Sequence, residues 1–175
     1  MTMNGRVTLV LAMWLGLYGG VALAEGNPVA RIGQSGEFIE FEQQINGQVF
    51  KNSLPLHKAG GVRYFSAGVG LEERAAEYPP FSLKLVFTEG GKPFLAGVDV
   101  TIQPAKGGTA IRIPREQVEG PWLFMDLPSG IYDISANYAS RTQGLKGIKV
   151  EEGKQKTVYL RWAADPGLAG RLTKE

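Results

Sequence analysis

Along the second half of this chain, side chains alternate between apolar and polar with a period of two, and that alternation leaves room for little but β-structure. Phe81, Leu83, Leu85 and Phe87 fall on one side, with Ser82, Lys84 and Thr88 on the other. Val98, Val100 and Ile102 alternate with Asp99, Thr101 and Gln103. Tyr132, Ile134, Ala136 and Tyr138 alternate with Asp133, Ser135 and Asn137, and Val158, Leu160 and Trp162 with Thr157, Tyr159 and Arg161. Successive side chains of a strand point to opposite faces, so each run predicts a strand with one face in a core and one in water.

Weaker strands are expected at Thr109 to Ile113, Trp122 to Met125 and Leu145 to Val150. The separators carry turn chemistry: Glu89-Gly90-Gly91-Lys92-Pro93, Lys106-Gly107-Gly108, Pro128-Ser129-Gly130 and Glu151-Glu152-Gly153-Lys154. Short strands broken by turns every 8 to 12 residues or so predict an all-β fold, an antiparallel β-sandwich of immunoglobulin-like type, with a small barrel as the alternative.

Upstream the pattern is mixed. Asn46-Gly47 separates Phe41-to-Ile45 from Gln48-to-Phe50 and predicts an N-terminal β-hairpin. Leu54-Pro55-Leu56 is expected to be extended, because the residue before proline is pushed out of the α region. Val62 to Phe65 is β-prone, and Leu71 to Tyr78, rich in helix formers and stopped by Pro79-Pro80, predicts a short helical connector. The resulting division is 81–162 for the sandwich, 25–80 for an N-terminal extension packing on it, and 163–175 for a C-terminal tail.

Residues 1–24 read as an export signal: Arg6 in a short n-region, an apolar run from Val7 to Leu17, and the small-residue pattern Ala22-Leu23-Ala24. The competing reading is an uncleaved anchor, since Val7 to Ala24 approaches the ~20 residues of a spanning helix. The Gly19-Gly20 pair and the A-x-A pattern favour cleavage after Ala24 and a periplasmic destination, with the mature chain peripheral to the membrane at most. Cleavage leaves 151 of the 175 residues and removes Arg6 from the 19 Lys+Arg, leaving 18 against 17 Asp+Glu. A net charge of +1 without basic clusters gives no case for nucleic acid. The absence of cysteine rules out disulfides, so the core must hold the fold unaided.

The stretch Glu119-Gly120-Pro121-Trp122-Leu123-Phe124-Met125-Asp126-Leu127-Pro128-Ser129-Gly130-Ile131-Tyr132-Asp133-Ile134 resembles the carboxypeptidase regulatory-like domain, a transthyretin-like β-sandwich. In that family a strand enters an L-P-x-G-x-Y turn, and the tyrosine anchors the next strand. Gly97-Val98-Asp99-Val100-Thr101-Ile102 is similar to the family's G-V-x-V-x-I strand. Ile148-Lys149-Val150 and Val158-Tyr159-Leu160-Arg161-Trp162, flanking Glu152-Gly153-Lys154, resemble its closing hairpin. The segment from Gly61 to Gly70 is similar, more loosely, to a group of small proteobacterial periplasmic proteins that carry such a domain. The resemblance spans Phe81 to Trp162 and implies an accessory or binding module without peptidase activity.

Chemistry-bearing groups are sparse. One histidine, His57, and no cysteine cannot build a His- or Cys-dominated zinc site, so neither metal nor cofactor is expected. A hydrolytic triad would have to combine His57 with Ser53 or Ser66, and neither serine lies in a nucleophile-elbow pattern. The pairs Glu72-Glu73 and Glu151-Glu152 sit in a polar helix and a turn, where solvated charge is the ordinary role, and Gly90-Gly91 and Gly107-Gly108 precede no helix that would hold a phosphate. The strand around Trp122 is different, because Leu123 and Met125 face one way and Trp122 and Phe124 the other. Either Trp122 and Phe124, with Tyr159 and Tyr64, form an exposed binding surface, or Phe38, Phe41, Phe50 or Phe65 of the N-terminal region covers them. Covering is the expectation, since the residues before the sandwich need an apolar face to dock on. The functional expectation is a non-enzymatic module that binds a protein or cell-envelope component. Carbohydrate binding through exposed aromatics is the alternative and an uncharacterised hydrolase the third reading. The signal reading makes a direct prediction: the intact mass of protein recovered from the periplasm begins at Glu25, and full-length chain tethered in the inner membrane would contradict it.

Overall fold

The computed structural model describes residues 27–45, 47–91 and 95–164. Outside the described residues lie the expected signal (1–24), Asn46 of the hairpin turn, Lys92 and Pro93 of the Glu89-to-Pro93 turn, and residues 165–175 of the tail. In chain order the elements are β1 (Arg31–Ile32), β2 (Phe38–Ile45), β3 (Gln48–Pro55), β4 (His57–Ala59), β5 (Val62–Ala67) and helix α1 (Leu71–Ala75), then β6 (Leu83–Glu89), β7 (Asp99–Pro104) and β8 (Ile111–Ile113). A 3-10 turn at Arg115–Gln117 leads to β9 (Trp122–Met125), β10 (Gly130–Tyr138), β11 (Arg141–Val150) and β12 (Lys156–Trp162).

Two sheets make an all-β sandwich, one of four strands ordered β11-β10-β7-β8 and one of five ordered β12-β6-β9-β5-β4. Both have open ends, so the sheets do not close into a barrel. The alternation does what period two requires, except that Phe81, expected on the face of Leu83, joins a cluster on the other side of the sheet, and Thr88, expected in water, is buried. Leu83, Leu85 and Phe87 of β6, Leu123 and Met125 of β9, and Val158, Leu160 and Trp162 of β12 meet Val100, Ile102, Ile134 and Ala136 in one buried core.

Pairing departs from expectation at one place. β11 and β12 lie in different sheets, so the predicted closing hairpin is a crossover through Glu151 to Gln155 instead, and β12 then runs parallel to β6, with Val158 opposite Leu85. The other strand pairs are antiparallel. A short turn signal marks a reversal but not the sheet that receives the next strand; here the inward set Val158, Leu160 and Trp162 finds its core opposite β10 and β11 rather than beside them.

At the Leu127-Pro128-Ser129-Gly130-Ile131-Tyr132 turn, the Tyr132 ring is buried and its hydroxyl donates to the Pro128 carbonyl at 2.8 Å. A Cβ on Gly130 would sit 3.2 Å from that ring, so this glycine makes room for the tyrosine; unlike Gly153, at φ 69°, it is not in the left-handed region.

A third sheet, β1-β2-β3, lies on the outer face of the five-stranded one. Ala30, Ile39, Phe41 and Leu56 pack there with Phe65, Ala67, Phe81 and Phe124 in a second buried cluster. Phe65 and Phe124, opposite each other across β5 and β9, stack at 4.6 Å with rings 1° from parallel. Tyr78 closes over both, 5.2 Å from Phe65 and 5.0 Å from Phe124, its hydroxyl donating to the Glu73 carbonyl at 2.8 Å. Phe38 and Phe50, counted among the possible covering residues, are 39% and 45% exposed and do not take that role. The division at residue 80 also cuts through a sheet, because β4 and β5 pair into the sandwich, β5 directly with β9.

Two substitutions separate the layers. Phe124→Ala opens a cavity between the five-stranded sheet and the N-terminal one and is expected to cost about 3–5 kcal/mol in denaturant melts. Ser135→Asp, on the solvent face of β10 beside buried Ile134, is expected to change stability by less than about 0.5 kcal/mol. Equal effects would mean that the strand faces are misassigned.

Candidate functional site

The four aromatic residues singled out in the sequence are not brought together. Tyr64 is buried between the sandwich sheets, where its hydroxyl donates to Gln117 Oε1, its ring lies 5.4 Å from that of His57, and burial pushes its pKa up. Phe124 is buried in the second cluster. Trp122 is half-buried at the rim of that cluster, its ring meeting Phe124 edge-on at 6.4 Å. Tyr159 is 53% exposed.

Trp122 and Tyr159 nonetheless share a face. In the parallel β6–β12 ladder Tyr159 is opposite Val86, and in the antiparallel β6–β9 ladder Val86 is opposite Trp122. The two rings therefore stand on the outer face of the five-stranded sheet, two strands apart, or ~10 Å at the usual strand spacing, with the buried Val86 as floor between them. The N-terminal sheet covers the β5–β9 half of this face and leaves Tyr159 uncovered on the β12 side.

Each ring carries a cation. Lys84 Nζ lies 3.5 Å from the Trp122 ring centre and 5.0 Å from that of Phe124. The Arg161 guanidinium carbon lies 5.5 Å from the Tyr159 ring centre. Aromatic faces carry negative quadrupole density, which attracts the ammonium and guanidinium groups. Lys84 is half-buried, its pKa is lowered by that burial, and among the described residues it has no ion-pair partner. On the connector beside Trp122, Val69 is 61% and Leu71 82% exposed. The connector's approach depends on Gly68, at φ 97°, where a Cβ would come within 2.9 Å of the indole.

Several of the groups that a hydrolytic reading would recruit are bound into the fold. Ser66 Oγ accepts from the Gly120 N–H at 2.8 Å and lies 3.2 Å from the Trp122 carbonyl, tying β5 to the turn before β9. The Glu73 carboxylate accepts from the N–H groups of Gly68 and Val69 at 2.7 and 3.1 Å. Glu151 lies between Lys149 and Lys154, at 2.5 and 2.9 Å, and these ammonium groups pull its pKa down to about 2. His57 is in β4 opposite Tyr64.

Open grooves lie elsewhere, among them two of similar size. One of about 450 Å³ at an end of the sandwich is lined by Ser82, Asp126, Ser129, Glu152 and Lys154. The other, of about 480 Å³, runs over the outer face of the four-stranded sheet, where Gly144 leaves a gap among Thr101, Gln103, Asp133, Ser135 and Lys146. Among the described residues no three His, Asp or Glu side chains gather as a metal-binding group, and no helix is long and apolar enough to cross a membrane. In comparisons with known proteins, no family model, curated protein or solved structure matches the chain.

The cation–aromatic strip was only half legible in the sequence. Alternation placed Tyr159 and Arg161 on one face and Lys84 with Thr88 on another, but the parallel pairing that sets β12 beside β6 has no local signal. Lys84 provides a test. Its folded pKa lies below the unfolded value of 10.5, so the unfolded chain binds more protons in that window and Lys84's contribution to stability rises with pH there. A carbon-13 titration of the lysine ε positions should show one midpoint below the others, lost in Lys84→Met, and a uniform set of midpoints would contradict the burial of this ammonium.

Proposed function

We propose that the mature chain is an exported, non-enzymatic β-sandwich module that binds a protein or cell-envelope component. The contact surface is the outer face of the five-stranded sheet around Tyr159, Arg161, Trp122 and Lys84. The observation that carries this reading is the presence of a cation on each of the two rings outside the cores. Aromatic side chains and arginine dominate binding energy at protein interfaces, where they are desolvated together. A module that stacked on sugar rings would need bare aromatic faces, and Lys84 occupies that of Trp122. The export signal and the resemblance to carboxypeptidase regulatory-like domains support a periplasmic accessory role, as does the structural use made of Ser66, Glu73 and Glu151.

The test replaces Tyr159 and Arg161 together by alanine. Both are exposed, so the melting temperature should hold, while capture of periplasmic partners by the immobilised chain should weaken by ~2 kcal/mol, roughly thirtyfold. Undiminished capture would contradict the proposal, and a glycan bound by the native chain but not by the variant would favour the carbohydrate reading.

A further inference from the structure

Strand β12 is an edge of the five-stranded sheet. At its ends the Lys156 N–H donates to the Ser82 carbonyl at 2.8 Å and the Trp162 carbonyl accepts from the Gly90 N–H at 3.1 Å. Alternation along the ladder then turns the backbone groups of Lys156, Val158, Leu160 and Trp162 toward β6. Those of Thr157, Tyr159 and Arg161 turn outward, and among the described residues no strand pairs with them. A row of unpaired N–H and C=O groups is a template for a further strand.

Other edges of the molecule are blunted. β1, β4 and β8 have two, three and three residues, β11 contains a bulge opposite Tyr132 and Ile134, and β3 ends in Pro55. β12 has seven residues, without a bulge and without proline. Its cations are also uncompensated. Lys156 and Arg161 are exposed and, among the described residues, form no ion pair. Of the carboxylates near the two ends of this edge, Glu89 is engaged with Arg141 at 2.8 Å and Glu151 with Lys149 and Lys154.

We infer that an extended, acidic segment of a protein partner adds to the free edge of β12 as a sixth strand. Its backbone bonds to Thr157, Tyr159 and Arg161, and on the outer face its carboxylates meet Arg161. The inference rests on the binding reading proposed above and names the partner's chemistry. Backbone bonding provides affinity in strand addition and alternate side chains provide selection, so acidic residues at every second position suit the outer face, where Arg161 stands on Tyr159. A second copy of this chain paired at the same edge would double the uncompensated positive charge.

The experiment uses the purified nitrogen-15-labelled chain and a synthetic peptide alternating valine and glutamate, with a valine–lysine peptide as control. The acidic peptide should slow amide exchange at Thr157, Tyr159 and Arg161 selectively, since the amides of Val158 and Leu160 are already bonded within the sheet, and added salt should weaken its binding. Thr157→Pro removes an edge-facing N–H without breaking the β6 ladder and should abolish the effect. Arg161→Glu, a surface change that leaves the fold intact, should weaken the acidic peptide about tenfold or more, as expected when a charge-assisted contact becomes a repulsive one, and should favour the lysine peptide. Absence of edge protection at saturating peptide would overturn the inference. So would protection that appears with chain concentration alone, or polyphosphate binding equally well without edge protection. If the Tyr159 and Arg161 alanine variant loses partner capture while Thr157→Pro retains it, the binding surface stands and strand addition is wrong; if that alanine variant retains capture, the surface itself is wrong.

Discussion

Strand β9 sends Leu123 and Met125 into the core between the sandwich sheets and Phe124 into the core under the N-terminal sheet, so the five-stranded sheet must be covered on both faces. Exposed, the stacked Phe65–Phe124 pair would present a large apolar patch to water. The three strands β1 to β3, with Tyr78, remove it, giving a three-layered arrangement in which the middle sheet is dry wherever the outer one reaches. The candidate site begins where that cover stops.

Much of the sandwich was readable because its strands bury one face. The run from Tyr132 to Tyr138 alternates without error, and β10 is buried at Tyr132, Ile134 and Ala136 as that alternation demands. β11 begins four residues before the strand predicted at Leu145 to Val150, because the β10–β11 turn is built on Ala139 and Ser140, with φ of 48° and 64°, instead of the glycine or asparagine that normally marks such a turn. β5 falls within the predicted extension because it is apolar on both sides, with Tyr64 facing one core and Phe65 the other, so period two is hidden. The parallel placement of β12 depends on contacts between residues more than 70 positions apart, such as Val158 with Leu85, that local pattern cannot encode.

The same physics separates the aromatic residues. A strand covered on both sides swallows its large side chains, which is the fate of Tyr64 and Phe124. An edge strand leaves its outer residues in water, which is the position of Tyr159 and Arg161. Trp122 falls between the two regimes, one edge against Phe124 and a face under Lys84. That half-buried ammonium gains attraction from the rings and loses hydration, and burial sets the direction of its pKa.

The most direct test of this account is deletion of residues 25–55, which removes β1, β2 and β3 and leaves both sheets of the sandwich intact in sequence. With Phe65 and Phe124 uncovered, the shortened chain should bind an apolar fluorescent dye strongly and melt well below the native chain. A shortened chain that melts at the native temperature without binding the dye would show that the middle sheet needs no outer layer, and the dependence of the site on that cover would fall with it.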